Sequence, residues 1–349
     1  MSIILTIGDP HIQLSNMAEI KTFIQKCLAH VQHLRKNRLL YRIVVLGDVL
    51  HDHERVHSTA LNVAVDFLNA LSEIAPTYCL VGNHDYINNS QYLTTNHWMN
   101  ALKANTRLTI VDKVIQEDWN GKKATLVPYV QPGRFVEALD TCAGWEASNI
   151  IFAHQEFKGV KMGSIVSEIG DAWAEELPFV VTGHIHKNQT PQTNIYYPGS
   201  AVQVAFGESE KNIVAHVDLD NLTRDGVDEV DLGLQKKKIV YTDVASLKKI
   251  AKTIEKGGMY ENHKLKVCVD GTKEEFKALK KTAAFKKMQK KGVKIVYKRK
   301  RAAITAENME LVNSVQNAKS GMNTFFEFLE KIVHESDSDE LKSAYMAVK

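Results

Sequence analysis

Five short stretches of the chain place side chains able to bind metal or carry protons directly after apolar runs. They are Gly8-Asp9-Pro10-His11 after residues 3–7, Gly47-Asp48 after 43–46, Gly82-Asn83-His84-Asp85 after 75–81, His154 after 149–153, and Gly183-His184-Ile185-His186 after 178–182. Taken singly, each has an ordinary explanation. Turns favour Gly, Asn and Asp, Asp-x-His arises readily by chance, and a lone histidine such as His154 is more often packed or exposed than ligating. Gly-His-Ile-His could be an exposed loop, although His184 and His186 share one face of an extended chain. What coincidence does not supply is the common context. Every stretch closes a buried strand, and the odds of a joint accident are below about one in twenty.

The chemistry open to such a set is that of a two-metal site. Asp48 can bridge two ions through its two carboxylate oxygens, with Asp9, His11 and His186 completing one shell and Asn83, His154 and His184 the other. Imidazole mixed with carboxylate and amide oxygen, without thiolate, favours a borderline divalent ion such as Mn²⁺ or Fe²⁺ over structural zinc. Two ions about 3.5–4 Å apart would share and activate a water and clamp the phosphoryl oxygens of a substrate. His84 is left over as a non-ligand, placed to stabilise the transition state or protonate the leaving oxygen. Asp85 would orient it.

Such a site needs strands that end together. Residues 3–7, 43–46 and 75–81 read as buried strands separated by segments of helical period at 17–37 and 58–75, the second with Ser58 as its N-cap. This alternation predicts a sheet with helices on its faces. From about residue 107 the pattern changes to short strands at 108–114, 123–127, 149–154, 178–186, 195–200 and 212–219, which read as a second group. Two sheets with helices outside them, a four-layer α/β sandwich, is the simplest arrangement. Beyond residue 235 a β-α-β-α-β pattern, with helices at 246–256 and 273–290, predicts a small cap. A period of Met309, Val312, Val315, Met322, Phe325, Phe326, Leu329 and Val333 predicts terminal helices. The division expected is 1–234 for the catalytic body, 235–303 for a basic α/β cap and 304–349 for a helical segment that docks a partner.

Net charge is +3, but its distribution is uneven. Residues 236–301 hold 22 Lys and Arg against 6 Asp and Glu, a net of +16, which leaves 22 basic and 35 acidic residues elsewhere, a net of −13. An acidic body with a basic appendage suits a polyanionic ligand, most often nucleic acid. The four cysteines, Cys27, Cys79, Cys142 and Cys268, are scattered without CxxC pairing, as expected of reduced thiols in cytoplasm. No apolar run reaches transmembrane length, so no membrane role is expected, and residues 1–8 read as a first strand and not a signal peptide. His53 and His57 read as surface residues, and Trp98, Trp119, Trp145 and Trp173 as structural ones.

The motif series resembles that of the calcineurin-like metallophosphoesterases. Gly-Asp-Val-Leu-His51, Gly-Asn-His-Asp85, Ala-His-Gln155, Gly-His-Ile-His186 and Tyr-Pro-Gly-Ser-Ala201 with Phe-Gly-Glu208 are similar, more narrowly, to the nuclease subunits of the Mre11/SbcD family, over about residues 1–210. The resemblance implies a Mn²⁺-dependent DNA exonuclease and endonuclease, with Mg²⁺ or Fe²⁺ as alternative ions. Its substrate would be double- and single-stranded DNA in recombination, repair or replication. It would work beside a coiled-coil ATPase of the Rad50/SbcC type, as a homodimer formed through the helices of 58–105, in bacterial or virus-infected host cytoplasm. The match assigns Asp9, His11, Asp48, Asn83, His154, His184 and His186 to metal binding and His84 to catalysis, and it places His51 where the family carries a further active-site histidine. Pro10 departs from the bulkier residues usual there, and the small cap resembles minimal viral or bacterial members. Two other functions stay open: a small-molecule phosphoesterase or cyclic-nucleotide phosphodiesterase using the same metals, and a non-catalytic scaffold.

Overall fold

The structure is a computed structural model that describes residues 2–163, 165–256, 260–299 and Val333. In chain order it begins with β1 (Ile3–Ile7), α1 (Met17–Lys36), β2 (Leu40–Val45), α2 (Ser58–Ile74), β3 (Thr77–Leu80) and β4 (Leu108–Val111). There follow β5 (Ile115–Trp119), β6 (Lys122–Leu126), α3 (Phe135–Leu139), β7 (Ile150–His154), β8 (Lys161–Met162), β9 (Ile165–Val166), β10 (Phe179–Gly183), β11 (Gln189–Gln192) and β12 (Ile195–Tyr197). The last group is β13 (Val214–Asp218), β14 (Val227–Val230), β15 (Lys236–Asp243), α4 (Leu247–Lys256), β16 (His263–Gly271), α5 (Lys273–Leu279), α6 (Ala283–Lys290) and β17 (Lys294–Arg299).

The elements build two six-stranded mixed sheets, β14-β13-β1-β2-β3-β4 and β11-β12-β10-β7-β6-β5, flanked by helices. Alternate side chains show why these strands read as unbroken apolar runs. Ile3, Leu5 and Ile7 of β1 pack under α1 and α2 with Phe23 and Phe67, whereas Ile4 turns into the space between the sheets with Phe152 and Trp119. Ile150 and Phe152 of β7 face inward, and Ile151 and Ala153 face outward to Phe135 and Trp173. Both faces of each sheet are therefore covered, which removes the polar alternation of a half-exposed strand. Within the first sheet β1, β2, β3 and β4 run parallel; within the second, β6, β7, β10 and β12 do. Their carboxyl ends are where the chemically capable residues emerge.

The cap is a parallel three-stranded sheet, β15-β16-β17, with α4, α5 and α6 closing a small core around Leu247, Val267, Phe276 and Phe285. Its first strand is tied to the body. The Lys237 backbone nitrogen donates to Gln203 Oε1 at 2.5 Å, and Gln203 Nε2 returns a bond to the Lys237 carbonyl at 3.0 Å. Lys264 pairs with Glu19 of α1.

The structure corrects several local expectations. The strand near 212–219 does not join the second sheet: β13 pairs antiparallel with β1 (Ile3 with Asp218) in the first. Hydrophobic period marks a strand but not its partner. Residues 108–114 are not one strand, because β4 ends at Val111 in the first sheet and the chain crosses to β5 in the second. The helix expected over 273–290 is two helices, divided where the Thr282 hydroxyl accepts the Phe285 N–H and caps α6. The cap of α2 is His57 and not Ser58, since the His57 side chain accepts the Thr59 N–H at 3.1 Å. The terminal helices and partner-docking role expected of 304–349 lie outside the described residues, apart from Val333. Among the described residues no helix is long and apolar enough to cross a membrane, and the four cysteines are unpaired.

One contact that seats α1 on the sheet carries a pH signature. His30 of α1 stacks on His216 of β13, ring centroids 5.0 Å apart and planes within 10°, with Nε2 atoms 2.8 Å apart. Burial, helped by His30, holds the His216 pKa down at about 4. A neutral pair shares a hydrogen bond; a doubly protonated pair repels. The unfolded chain binds the proton first, near the ordinary histidine value of about 6.5, so stability present at neutral pH drains away as pH falls from there towards 4. Discounted for partial exposure, the loss between pH 7 and pH 5 is on the order of 1 kcal/mol. Urea midpoints at those two pH values should lie closer together in His216→Gln than in the wild type.

Candidate metal centre

The local chain geometry at the strand ends is unusual. Asp9 (φ 32°), His11 (46°), Asp48 (48°) and His184 (79°) all occupy the left-handed region, which non-glycine residues enter at a cost and which clusters at functional sites. Close packing lets the loops meet. A Cβ on Gly82 would run into the Asp48 backbone nitrogen and Oδ1, and one on Gly47 (φ 103°) would lie 2.6 Å from His154 Nδ1. Only glycine permits these approaches.

These loops gather Asp9, His11, Asp48, Asn83, His154, His184 and His186 into one cluster between the two sheets. His11 Nε2 lies 2.8 Å from His186 Nε2 and 3.5 Å from Asp48 Oδ2. On the other side of the same carboxylate, Asp48 Oδ1 is 3.4 Å from His154 Nε2. Asn83 Oδ1 sits 3.1 Å from that nitrogen and 2.9 Å from His184 Nδ1. The two oxygens of Asp48 thus face two different groups of donors. Asp9 spans them differently: its Oδ1 accepts the His184 N–H at 2.9 Å, and its buried Oδ2 has no hydrogen-bond partner.

The ring nitrogens on the far sides are held by the protein. His154 Nδ1 lies 2.7 Å from the Leu46 carbonyl, and His186 Nδ1 lies 3.1 Å from Glu208 Oε1. A carbonyl or carboxylate on one nitrogen fixes the proton there and leaves the other nitrogen's lone pair free to ligate. The free lone pairs converge, and a buried carboxylate oxygen is orphaned beside them. That is the donor set a pair of cations would satisfy, so the residues fit the dimetal centre (Asp48 shared, Asp9, His11 and His186 on one side, Asn83, His154 and His184 on the other).

Electrostatics agree. Burial alone would raise the Asp48 carboxyl, but the imidazoles of His154, His11 and His84 hold it well below the usual carboxylate range. His154, although buried, is lifted to about 9 by Asp48 and Asp9, whereas burial pushes His11 well below the ordinary histidine value. Burial and Asp48 raise Asp9.

His84 lies at the edge of this cluster. Its backbone N–H donates to Asp48 Oδ1 at 2.8 Å, and its Nδ1 meets the His51 carbonyl, which leaves Nε2 as the exchangeable nitrogen. His51 also places Nδ1 3.3 Å from His11 Nδ1. A second possible donor trio, His11, His51 and His84, thus stands beside the first, Asp48, His154 and His184, and shares no residue with it.

Asp85 does not do what the sequence reading assigns it. It makes no hydrogen bond to His84; instead it accepts N–H groups from Gly82, Val49 and Leu50 and the indole N–H of Trp98. It is a buried hub that locks the Gly47 and Gly82 loops together, and burial with the charge of Asp48 raises its pKa to about 7. His84 is oriented by the His51 carbonyl. Nor is His53 simply a surface residue: its ring stacks on His84 at 4.4 Å, with 18° between planes. Glu208 and Glu156 belong to the site without having been singled out for it. Glu208 holds His186, and Glu156 Oε2 comes within 3.8 Å of His184 Nε2. Phe-Gly-Glu208 stands out as a motif, but nothing in its spacing says that the glutamate faces His186.

A model of the calcineurin-like phosphoesterase family matches residues 3–201. The chain is 43% identical over 302 residues to "Putative phosphoesterase 078R" of invertebrate iridescent virus 3, covering 84% of each chain. It is 44% identical over 285 residues to "Putative phosphoesterase 244L" of invertebrate iridescent virus 6, covering 80% of this chain and 97% of that one. A weaker similarity, 26% over 205 residues, links it to 13% of the length of "Uncharacterized protein R555" of Acanthamoeba polyphaga mimivirus.

Proposed function

Since the chain belongs to the calcineurin-like phosphoesterases, we propose that the phosphoester bond it hydrolyses is the phosphodiester of DNA, with Mn²⁺ as the working ion. The observation that carries this reading is where the basic cap sits. Its strand β15 lies against the segment 203–210: Lys237 bonds the Gln203 and Val204 carbonyls, Lys238 pairs with Glu210, and Gln203 Nε2 reaches the Glu208 carbonyl. Glu208 in turn holds His186. A module whose described residues 236–299 carry 20 Lys and Arg against 6 Asp and Glu, a net of +14, is thus seated on the rim of the metal cluster, where it would hold a polyanion by its phosphates without reading sequence.

A divalent ion pair at the cluster would supply Lewis acidity and neutralise phosphoryl charge. The chain's own part is to hold those donors in place, to bury them from water and to offer a proton at His84 Nε2 to the departing oxygen. By the same reading, 304–349 docks a Rad50/SbcC-type ATPase and the protein works as a homodimer.

The rival reading, a hydrolase of small phosphate esters, has the same metals and no use for the cap. Neutralising four exposed lysines of α5, α6 and the turn between them (Lys277, Lys281, Lys286 and Lys290, each to Gln) separates the two. Hydrolysis and binding of DNA should weaken about 10- to 100-fold at physiological salt, and the slope of log affinity against log salt should fall by about 1 for each lysine that touches a phosphate. Turnover of bis(p-nitrophenyl) phosphate should stay within about twofold. Equal loss on both substrates, or none on DNA, favours the small-ester enzyme.

A further inference from the structure

Between β7 and β10 the chain makes an excursion that exposes apolar side chains and lies beside the metal cluster. Met162 (38% exposed), Ile165 (64%), Val166 (49%) and Ile169 (76%) are four of the eight strongly exposed large hydrophobic residues among the described residues. Scattered exposed apolar residues need no explanation, but a concentration such as this one does. The excursion is not loose. Its base is closed by Lys158 N–H to the Asp171 carbonyl and Asp171 N–H to the Glu156 carbonyl, both at 2.9 Å, and Phe157, Val160 and Ser167 are buried beneath it. Glu156, at its root, faces His184.

One side-chain amide fixes β8 against the cluster. Gln189 Oε1 accepts the Lys161 N–H at 2.9 Å, while its Nε2 donates to the Lys161 carbonyl at 3.0 Å and the Lys187 carbonyl at 3.3 Å. The β8–β9 hairpin and the segment after His186 are thereby pinned together. Between them lies a cleft of about 600 Å³ walled by Lys161 and Met162 on one side and His184, His186 and Lys187 on the other. Two exposed lysines flank a slot that opens onto the metal-ligating histidines, with an apolar ridge at its lip.

Building on the DNA reading above, we propose that this hairpin is the element that receives unpaired nucleotides next to the scissile bond. Lys161 and Lys187 neutralise the flanking phosphates, and Met162 and Ile165 pack on nucleobase faces. Those faces are stacked away inside a duplex and available in a single strand, where apolar side chains such as Met and Ile can cover them. The hairpin therefore selects single-stranded segments and frayed ends, whereas the cap holds any DNA.

The test uses the full chain, a single-stranded oligonucleotide carrying 2-aminopurine, and bis(p-nitrophenyl) phosphate. In Met162→Ser/Ile165→Ser, the ratio of kcat/KM on the oligonucleotide to that on the small ester should drop at least tenfold. Anisotropy measured in chelator should show a matching loss of single-strand affinity, with duplex affinity little changed. Lys161→Gln/Lys187→Gln, which leaves the apolar ridge intact, should lower the same ratio and guards against misfolding of the first variant. An unchanged ratio and unchanged affinity in both variants overturn the proposal. A wild type that cleaves the small ester but no oligonucleotide refutes the DNA reading instead; the hairpin then stands or falls on the anisotropy, and it falls if the wild type does not bind the single strand. Should the serine variant alter self-association or partner capture but not single-strand binding, the ridge is a protein-docking surface and the proposal is wrong.

Discussion

Asp48→Asn should strip the protein of both divalent ions, not one, and lower phosphodiester hydrolysis about 10³-fold or more. Asp48 is the residue whose two oxygens face different donor groups, Oδ2 towards His11 and Oδ1 towards His154, so an amide there removes a charged donor from each shell together. His11→Ala and His154→Ala each touch one group and should cost one ion preferentially. Metal analysis after gel filtration, with calorimetric titration of Mn²⁺ into chelator-treated protein, distinguishes these stoichiometries. Two ions retained at near wild-type affinity in Asp48→Asn would mean that the carboxylate is structural, held by the His84 N–H and nothing more. A thermal scan without metal is the control for folding, because removing one partner from a buried ionic network costs about 3–5 kcal/mol.

The shared position of Asp48 is legible in the sequence because the relevant information is local. A glycine that allows a sharp turn, an apolar run that must be buried and a polar side chain immediately after it together say that the side chain emerges at a strand's carboxyl end. Once the ends of β1, β2, β3, β7 and β10 come together, so do their polar residues. What the sequence hides is relational. Asp85 follows His84 directly, yet its carboxylate turns to backbone N–H groups of the neighbouring loop, because the Gly82 and Gly47 turns leave those donors pointing into a buried space that only an acceptor can satisfy. Glu208 and Glu156 come from irregular segments with no periodic signature, and their place beside His186 and His184 depends on the path of the whole sheet. The same blindness moves β13: alternation marks it as a strand, but only packing against Ile3 and Ile4 puts it next to β1. In the cap, the lysines of 273–290 fit one helical period throughout, and the break is carried by a single hydroxyl, that of Thr282.

His84→Ala should leave both ions bound and reduce cleavage of DNA by about 10²–10⁴-fold. The case for a non-ligand role rests on how its ring is held. Nδ1 is committed to the His51 carbonyl and the ring stacks on His53, so Nε2 is the nitrogen free to act. Burial keeps its pKa below the ordinary value, and a phosphodiester arriving in the cluster supplies the negative charge that draws a proton onto it. A proton donor matters most where the departing oxygen is a poor leaving group. The deficit in His84→Ala should therefore be large for DNA, whose leaving group is a sugar alkoxide, and small for an ester releasing p-nitrophenolate, which departs without help. The alternative is equally concrete. The second trio, His11, His51 and His84, would make His84 a ligand, and then the variant should lose an ion and fail equally on both substrates. Metal content and the ratio of the two activities, measured on one preparation, decide between a histidine that moves a proton and one that holds a cation.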